Sequence, residues 1–156
     1  MSERAAAKAH GPRREIFTFV VGDAGYCIEI EHVLEIRAWT ETTTMPQTPE
    51  YVTGLMNLRG IVVPVIDLSL RLGLGRAAAT PRHVIIIVRV SDQTVGFLVQ
   101  GVSDILTVEE GDLKPVPRVS LPATQSFVKG VYTLSDQLIR AVDVHQILPD
   151  RDGMAA

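Results

Sequence analysis

The chain reads as an all-β protein made of one unit used twice, folded as two small closed β-barrels packed together. Three observations lead there. Short runs of β-branched and alternating apolar residues recur between turn signals rich in Gly, Pro, Asp and Ser. The stretch 51–72, YVTGLMNLRGIVVPVIDLSLRL, is echoed without a gap at 127–148, FVKGVYTLSDQLIRAVDVHQIL. Tyr51 falls on Phe127, Gly54 on Gly130, Leu58 on Leu134, Asp67 on Asp143 and Leu72 on Leu148, each 76 residues on. The front of the unit repeats too: Asp23, Tyr26, Ile28, Ile30, Val33 and Ile36 fall on Asp92, Val95, Phe97, Val99, Val102 and Ile105, each 69 residues on. Two copies of this length exclude a solenoid. Closure into barrels would remove the strand edges that a run such as 83–90 otherwise exposes.

The elements follow in order. Residues 1–14 are small and charged without an apolar stretch, and are expected to be a flexible tail rather than a secretory signal. Residues 15–21 alternate, with Phe17, Phe19 and Val21 on one face and Ile16, Thr18 and Val20 on the other. A turn at 22–25 leads to a partner strand over 26–30, then a helical turn at 31–34 and an extended 35–39. Pro46 and Pro49 bracket a loop, and Pro49 suits the first position of a short helix over 49–55. Residues 60–66 are strongly β, and Pro64 within them predicts an edge or a bulge. Asp67 stands as N-cap before a one- or two-turn helix, which Gly73-Leu74-Gly75 ends. After a linker at 76–81, a strand at 83–90 turns at 91–94 into 95–99, and 101–107 matches 32–38. A Pro-rich loop at 114–122 precedes a hairpin, 129–134 and 137–142, turning at Ser135-Asp136. Asp143 caps a last short helix. One domain, 15–150, therefore holds two units at about 16–72 and 85–148, followed by a C-terminal tail at 151–156.

Composition excludes several functions. A net charge of −3 leaves no basic footprint for nucleic acid, and 5% aromatics leave no stacking platform. No apolar run reaches membrane-spanning length. Gly73-Leu74-Gly75 follows a helix and lacks the third glycine of a dinucleotide fingerprint. The four histidines show no metal-ligand spacing, and the single Cys27 sits in a strand as a small core residue. Neither metal nor cofactor is expected. Asp67 and Asp143 are matched acids at matched strand-to-helix junctions, which marks them as caps rather than as an acid/base pair. Glu35 and Arg59 differ: their counterparts are Asp104 and Ser135, so the acid is kept and the cation is lost. They form either a surface ion pair of little energy or a recognition pair beside apolar Val33 and Leu58.

The motif Gly54-Leu55-Met56-Asn57-Leu58-Arg59-Gly60-Ile61-Val62-Val63-Pro64-Val65-Ile66-Asp67-Leu68 closely resembles the hallmark of the CheW family, the coupling proteins of bacterial chemotaxis. Two further stretches are similar to family signatures: Val33-Leu34-Glu35-Ile36-Arg37, and the segment from Val95 to Leu106. The resemblance runs from about Ile16 to Leu148. It implies two five-stranded β-barrel subdomains around a shared apolar core. It also implies a non-catalytic cytoplasmic adaptor at receptor arrays on the inner face of the membrane. The adaptor would join chemoreceptor tips to the histidine kinase CheA, whose regulatory domain shares the fold. The family's receptor-binding positions match Val33, Glu35, Gly54 and Arg59, with Asn57 and Leu58 beside them in the unmatched tip. Gly96, Val102, Ile105 and Gly130 match positions around the groove between barrels. A helical receptor tip implies helix-in-groove binding. No motif marks the kinase contacts. Ala38-Trp39 follows Arg37 where the family often has Gly, so the loop after it is expected to differ. A coupling protein of a non-flagellar array, and a small β-barrel ligand-binding protein or enzyme, stand as alternatives.

Overall fold

A computed structural model describes residues 12–116 and 127–148. The strands are β1 (Arg13–Val21), β2 (Ala24–Glu29), β3 (Val33–Ala38), β4 (Val52–Leu58), β5 (Ile61–Asp67), β6 (Val84–Val90), β7 (Gln93–Val99), β8 (Gly101–Glu109), β9 (Val128–Leu134) and β10 (Gln137–Val142). Two short helices, α1 (Leu68–Arg71) and α2 (Val144–Ile147), follow β5 and β10. Single 3-10 turns lie at Ile30–His32 and Glu110–Asp112. The strands form two five-stranded sheets, sheet A in the order β8-β1-β2-β10-β9 and sheet B in the order β3-β6-β7-β5-β4.

The duplication is plain in these orders, but the copies are exchanged. The β1–β2 hairpin of the first copy lies in sheet A among β8, β9 and β10 of the second. The β6–β7 hairpin of the second copy lies in sheet B among β3, β4 and β5 of the first. Each hairpin joins its host by a parallel pairing on one side, β2 to β10 and β7 to β5, and by an antiparallel pairing on the other, β1 to β8 and β6 to β3. The hairpin turns Gly22-Asp23, Arg59-Gly60, Ser91-Asp92 and Ser135-Asp136 all have two residues at positive φ. That is the type I′ geometry whose twist matches the flanking strands.

Burial follows from the alternation. In β1, Phe17, Phe19 and Val21 enter a core between the sheets, where they meet Ile86, Val88 and Phe97. The opposite faces curl over two smaller clusters. Sheet B encloses Met56, Val63, Ile85, Ile87 and Leu98, and sheet A encloses Ile16, Cys27, Tyr132 and Ile139. The run 83–90 is uninterrupted because β6 is buried on both faces.

Several expectations need correction. Neither sheet closes as a barrel by a ladder: β3 and β4 stand at opposite ends of one sheet order, β8 and β9 at those of the other. Each gap is spanned by one isolated bridge, Thr43 to Leu55 and Lys114 to Val131. Pro46 and Pro115 follow these bridges closely and cannot donate to an extended ladder. The helix expected over 49–55 is turn and then β4. Its buried positions Val52, Gly54, Met56 and Leu58 alternate as a strand does, so pairing with β5 overrides the proline's helical preference. Pro64 lies in an inner strand and not at an edge, while the β4–β5 ladder shifts register beside it, between Val52 and Gly54. Its partner Leu55 turns its own N–H and C=O toward Thr43, so this pair is not a hydrogen-bonded one. Pairing of β5 with β7 starts only at Val65, so the missing N–H costs no ladder bond. β1 begins at Arg13, which takes the last two residues of the expected tail into the sheet. Trp39 is half-buried and packs on the sheet B cluster. Tail residues 1–11 and 151–156, and 117–122 of the Pro-rich loop, lie outside the described residues.

Candidate functional site

The residues expected to meet a partner fall into three sets. The first gathers where the two end strands of sheet B curl toward each other. Glu35 comes from β3, and Arg59 from the β4–β5 turn. Arg59 holds φ +50° and Gly60 φ +86°. Asn57 Oδ1 accepts the Gly60 N–H at 2.7 Å and fixes the turn. From there the Arg59 guanidinium forks onto Glu35. Nη1 lies 3.3 Å from Oε1, and Nη2 contacts Oε2. Arg37 reaches Oε1 from the other side at 3.5 Å. Hydrogen bonding from Arg59 holds the Glu35 carboxyl below its ordinary value, with the charges of Arg59 and Arg37 adding to it. The Arg59 side chain remains 66% exposed. Leu34, Ile36, Ile61 and Val62 are exposed apolar neighbours in sequence and register. Val33, half-buried, packs on the core between the sheets.

The second set is on β8 of sheet A, where Val102 and Ile105 are exposed. Ile105 is the repeat mate of the exposed Ile36. Among the described residues no arginine pairs with the matching acid, Asp104, whose backbone N–H donates to Thr18 Oγ1 at 2.9 Å across the bulge between β1 and β8.

The third set is buried. Leu58 lies inside sheet B. A Cβ on Gly54 would stand 2.6 Å from Thr43 O and 2.7 Å from Thr42 Oγ1, and one on Gly130 would stand 2.7 Å from Leu113 Cγ and 2.8 Å from Lys114 O. These two glycines therefore admit the bridging segments that span the sheet gaps. On Gly96 a Cβ would meet Ile85 Cγ2 at 2.7 Å.

Asp67 and Asp143 cap their helices as expected, accepting from Leu70 N and His145 N. Asp67 also accepts from Ala77 N at 2.8 Å, which ties the linker onto sheet B. Sequence reasoning missed a cluster on sheet A. Glu29 takes Arg14 and Lys129 at 2.9 Å each, and its ligand atoms lie within 4.8 Å of those of Glu31 and His32. No spacing signal announces it, because Arg14, Glu29 and Lys129 come from three strands.

A family model described as CheW-like domain matches residues 15–152. The chain belongs to the CheW family. A CheW protein of Rhizobium meliloti, "Chemotaxis protein CheW", is 44% identical over 143 residues, covering 92% of each chain. A Bacillus subtilis protein of the same name is 30% identical over 142 residues, covering 91% of each chain. Among solved structures, the scaffolding protein TtCheW of Thermoanaerobacter tengcongensis superposes with a TM-score of 0.80 at 29% identity. That match covers 90% of this chain and 95% of TtCheW. The CheW fold is thus the frame that holds the Glu35–Arg59 pair at one edge. No helix among the described residues is long and apolar enough to cross a membrane.

Proposed function

We propose that this CheW-family chain is a non-catalytic chemotaxis adaptor. It joins the cytoplasmic tips of chemoreceptors to the histidine kinase CheA at arrays on the inner face of the membrane. The observation that carries the reading is the exposed Glu35–Arg59 pair. Its arginine is lost in the second copy, and apolar side chains flank it. An ion pair this exposed contributes little to folding. Charge of this kind beside apolar surface sets orientation and partner choice instead. The names of the relatives support the pathway, and the description of TtCheW as a scaffolding protein supports a binding role over a chemical one.

In this reading Val33, Glu35, Asn57 and Arg59 meet the receptor from sheet B, and Val102 and Ile105 from sheet A. Gly54, Leu58, Gly96 and Gly130 act by positioning strands. Arg59→Asp is expected to abolish binding of a purified receptor-tip fragment while circular dichroism and melting stay as in the parent. Undiminished binding by the folded variant would remove the site. Size-exclusion co-elution with the CheA regulatory domain, then with the receptor fragment added, tests the adaptor role. Failure to form a three-component complex counts against it.

A further inference from the structure

Arg71 ends α1, below sheet B, yet its guanidinium belongs to both halves of the molecule. Cζ lies 3.9 Å from the Tyr51 ring centroid and 4.7 Å from that of Phe127. Nε donates to Ile147 O and Nη2 to Gln146 O, each at 3.1 Å, at the end of the sheet A helix α2. The two rings are repeat mates at matched corners: Tyr51 O accepts the Asp67 N–H at 2.7 Å, and Phe127 O accepts the Asp143 N–H at 2.8 Å. The repeat mate of Arg71 is Ile147 itself, fully buried in the core between the sheets. One cation therefore sits between two equivalent aromatic corners and bonds the backbone of its own counterpart.

We infer that Arg71 is a positioning residue that fixes the angle between sheets A and B, and so aligns the two exposed edges assigned to the receptor. The inference rests on that assignment for its functional half. The core between the sheets supplies most of their attraction, but apolar burial has no direction and tolerates rotation. A planar guanidinium with two donors on adjacent carbonyls and two rings within cation–π reach does have direction.

The test uses the full chain, with spin labels on Val62→Cys and Leu138→Cys. These exposed repeat mates lie on β5 and β10, and the native Cys27 is buried, away from the label. In Arg71→Leu, electron–electron resonance is expected to show a broadened inter-label distance distribution. Receptor-tip binding without the labels is expected to weaken by roughly three- to tenfold. Arg71→Lys keeps the charge over the rings but loses the fork, and is expected to fall between parent and Leu in both readouts. If Arg71→Leu does not fold, the Lys variant alone carries the test. An unbroadened distribution in a folded variant overturns the inference, and so does undiminished binding when Arg59→Asp abolishes it. If Arg59→Asp also leaves binding intact, the receptor assignment has failed, and the distance distribution alone decides the role of Arg71.

Discussion

Arg59 occupies backbone that suits glycine or asparagine, and its own side chain gives that backbone no help. At φ +50° a long side chain is disfavoured, and the hydrogen bond that holds the turn comes from Asn57. A strained residue whose side chain is exposed and aimed at a neighbouring acid points to use beyond folding. Arg59→Asn should therefore raise the melting temperature slightly, because asparagine tolerates this conformation, and should still weaken receptor-tip binding. A variant that is more stable and binds fully would show that the arginine serves the turn alone. Arg59 and Glu35 were legible in the sequence as a pair lacking an equivalent in the second copy. Arg37, the second cation on Glu35, was not, because only the geometry of β3 brings it there.

Among the elements, the bridging segments bear on the sheets more than their length implies. Thr43 and Lys114 each make one bridge, and each crosses a glycine with no room for a methyl group. Gly54→Ala and Gly130→Ala should each cost about 1–3 kcal/mol by forcing the crossing segment away. Urea unfolding with an unchanged slope would measure this, and a midpoint equal to the parent's would refute the steric account. The β4 strand shows why part of the fold was misread. Pro49 gave a local helical signal, whereas the true evidence lay 76 residues on, where the equivalent residues already read as a strand. Caps and hairpin turns were legible because they depend on two or three adjacent residues. Sheet partners were not, because nothing local says whether β3 pairs within its own copy or with β6.

For the molecule as a whole, the Glu29 cluster couples acidity to stability. Burial disfavours the carboxylate. Hydrogen bonding with Glu31 and Lys129 and the charges of Lys129 and Arg14 outweigh it, and lower the group from 4.5 to about 2. A carboxyl depressed on folding adds stability above its unfolded value, and loses it as pH falls from 4.5 toward about 2. Glu29 is half-buried, but its partners Arg14 and Lys129 are 37% and 40% exposed, so solvent screening keeps the contribution small. Glu29→Gln should flatten the acid limb of the stability curve in that window and leave the limb above it parallel to the parent's, as read by urea titrations across pH. An acid limb as steep as the parent's would assign it to other carboxylates. Because both sheets share one core, the loss should appear as a single transition, not as separate melting of sheet A.

The exchange of hairpins between copies also dictates an order of events during synthesis. The β1–β2 hairpin emerges first and can form at once, but its partners β8 and β10 come late in the chain. Sheet B can be completed once β7 has emerged, and it then holds every strand it needs. A nascent chain on the ribosome would thus carry a finished sheet B beside a waiting hairpin. The apolar face of that hairpin, Phe17, Phe19, Tyr26 and Ile28, could already rest on sheet B before sheet A exists. The sheet begun first is finished last.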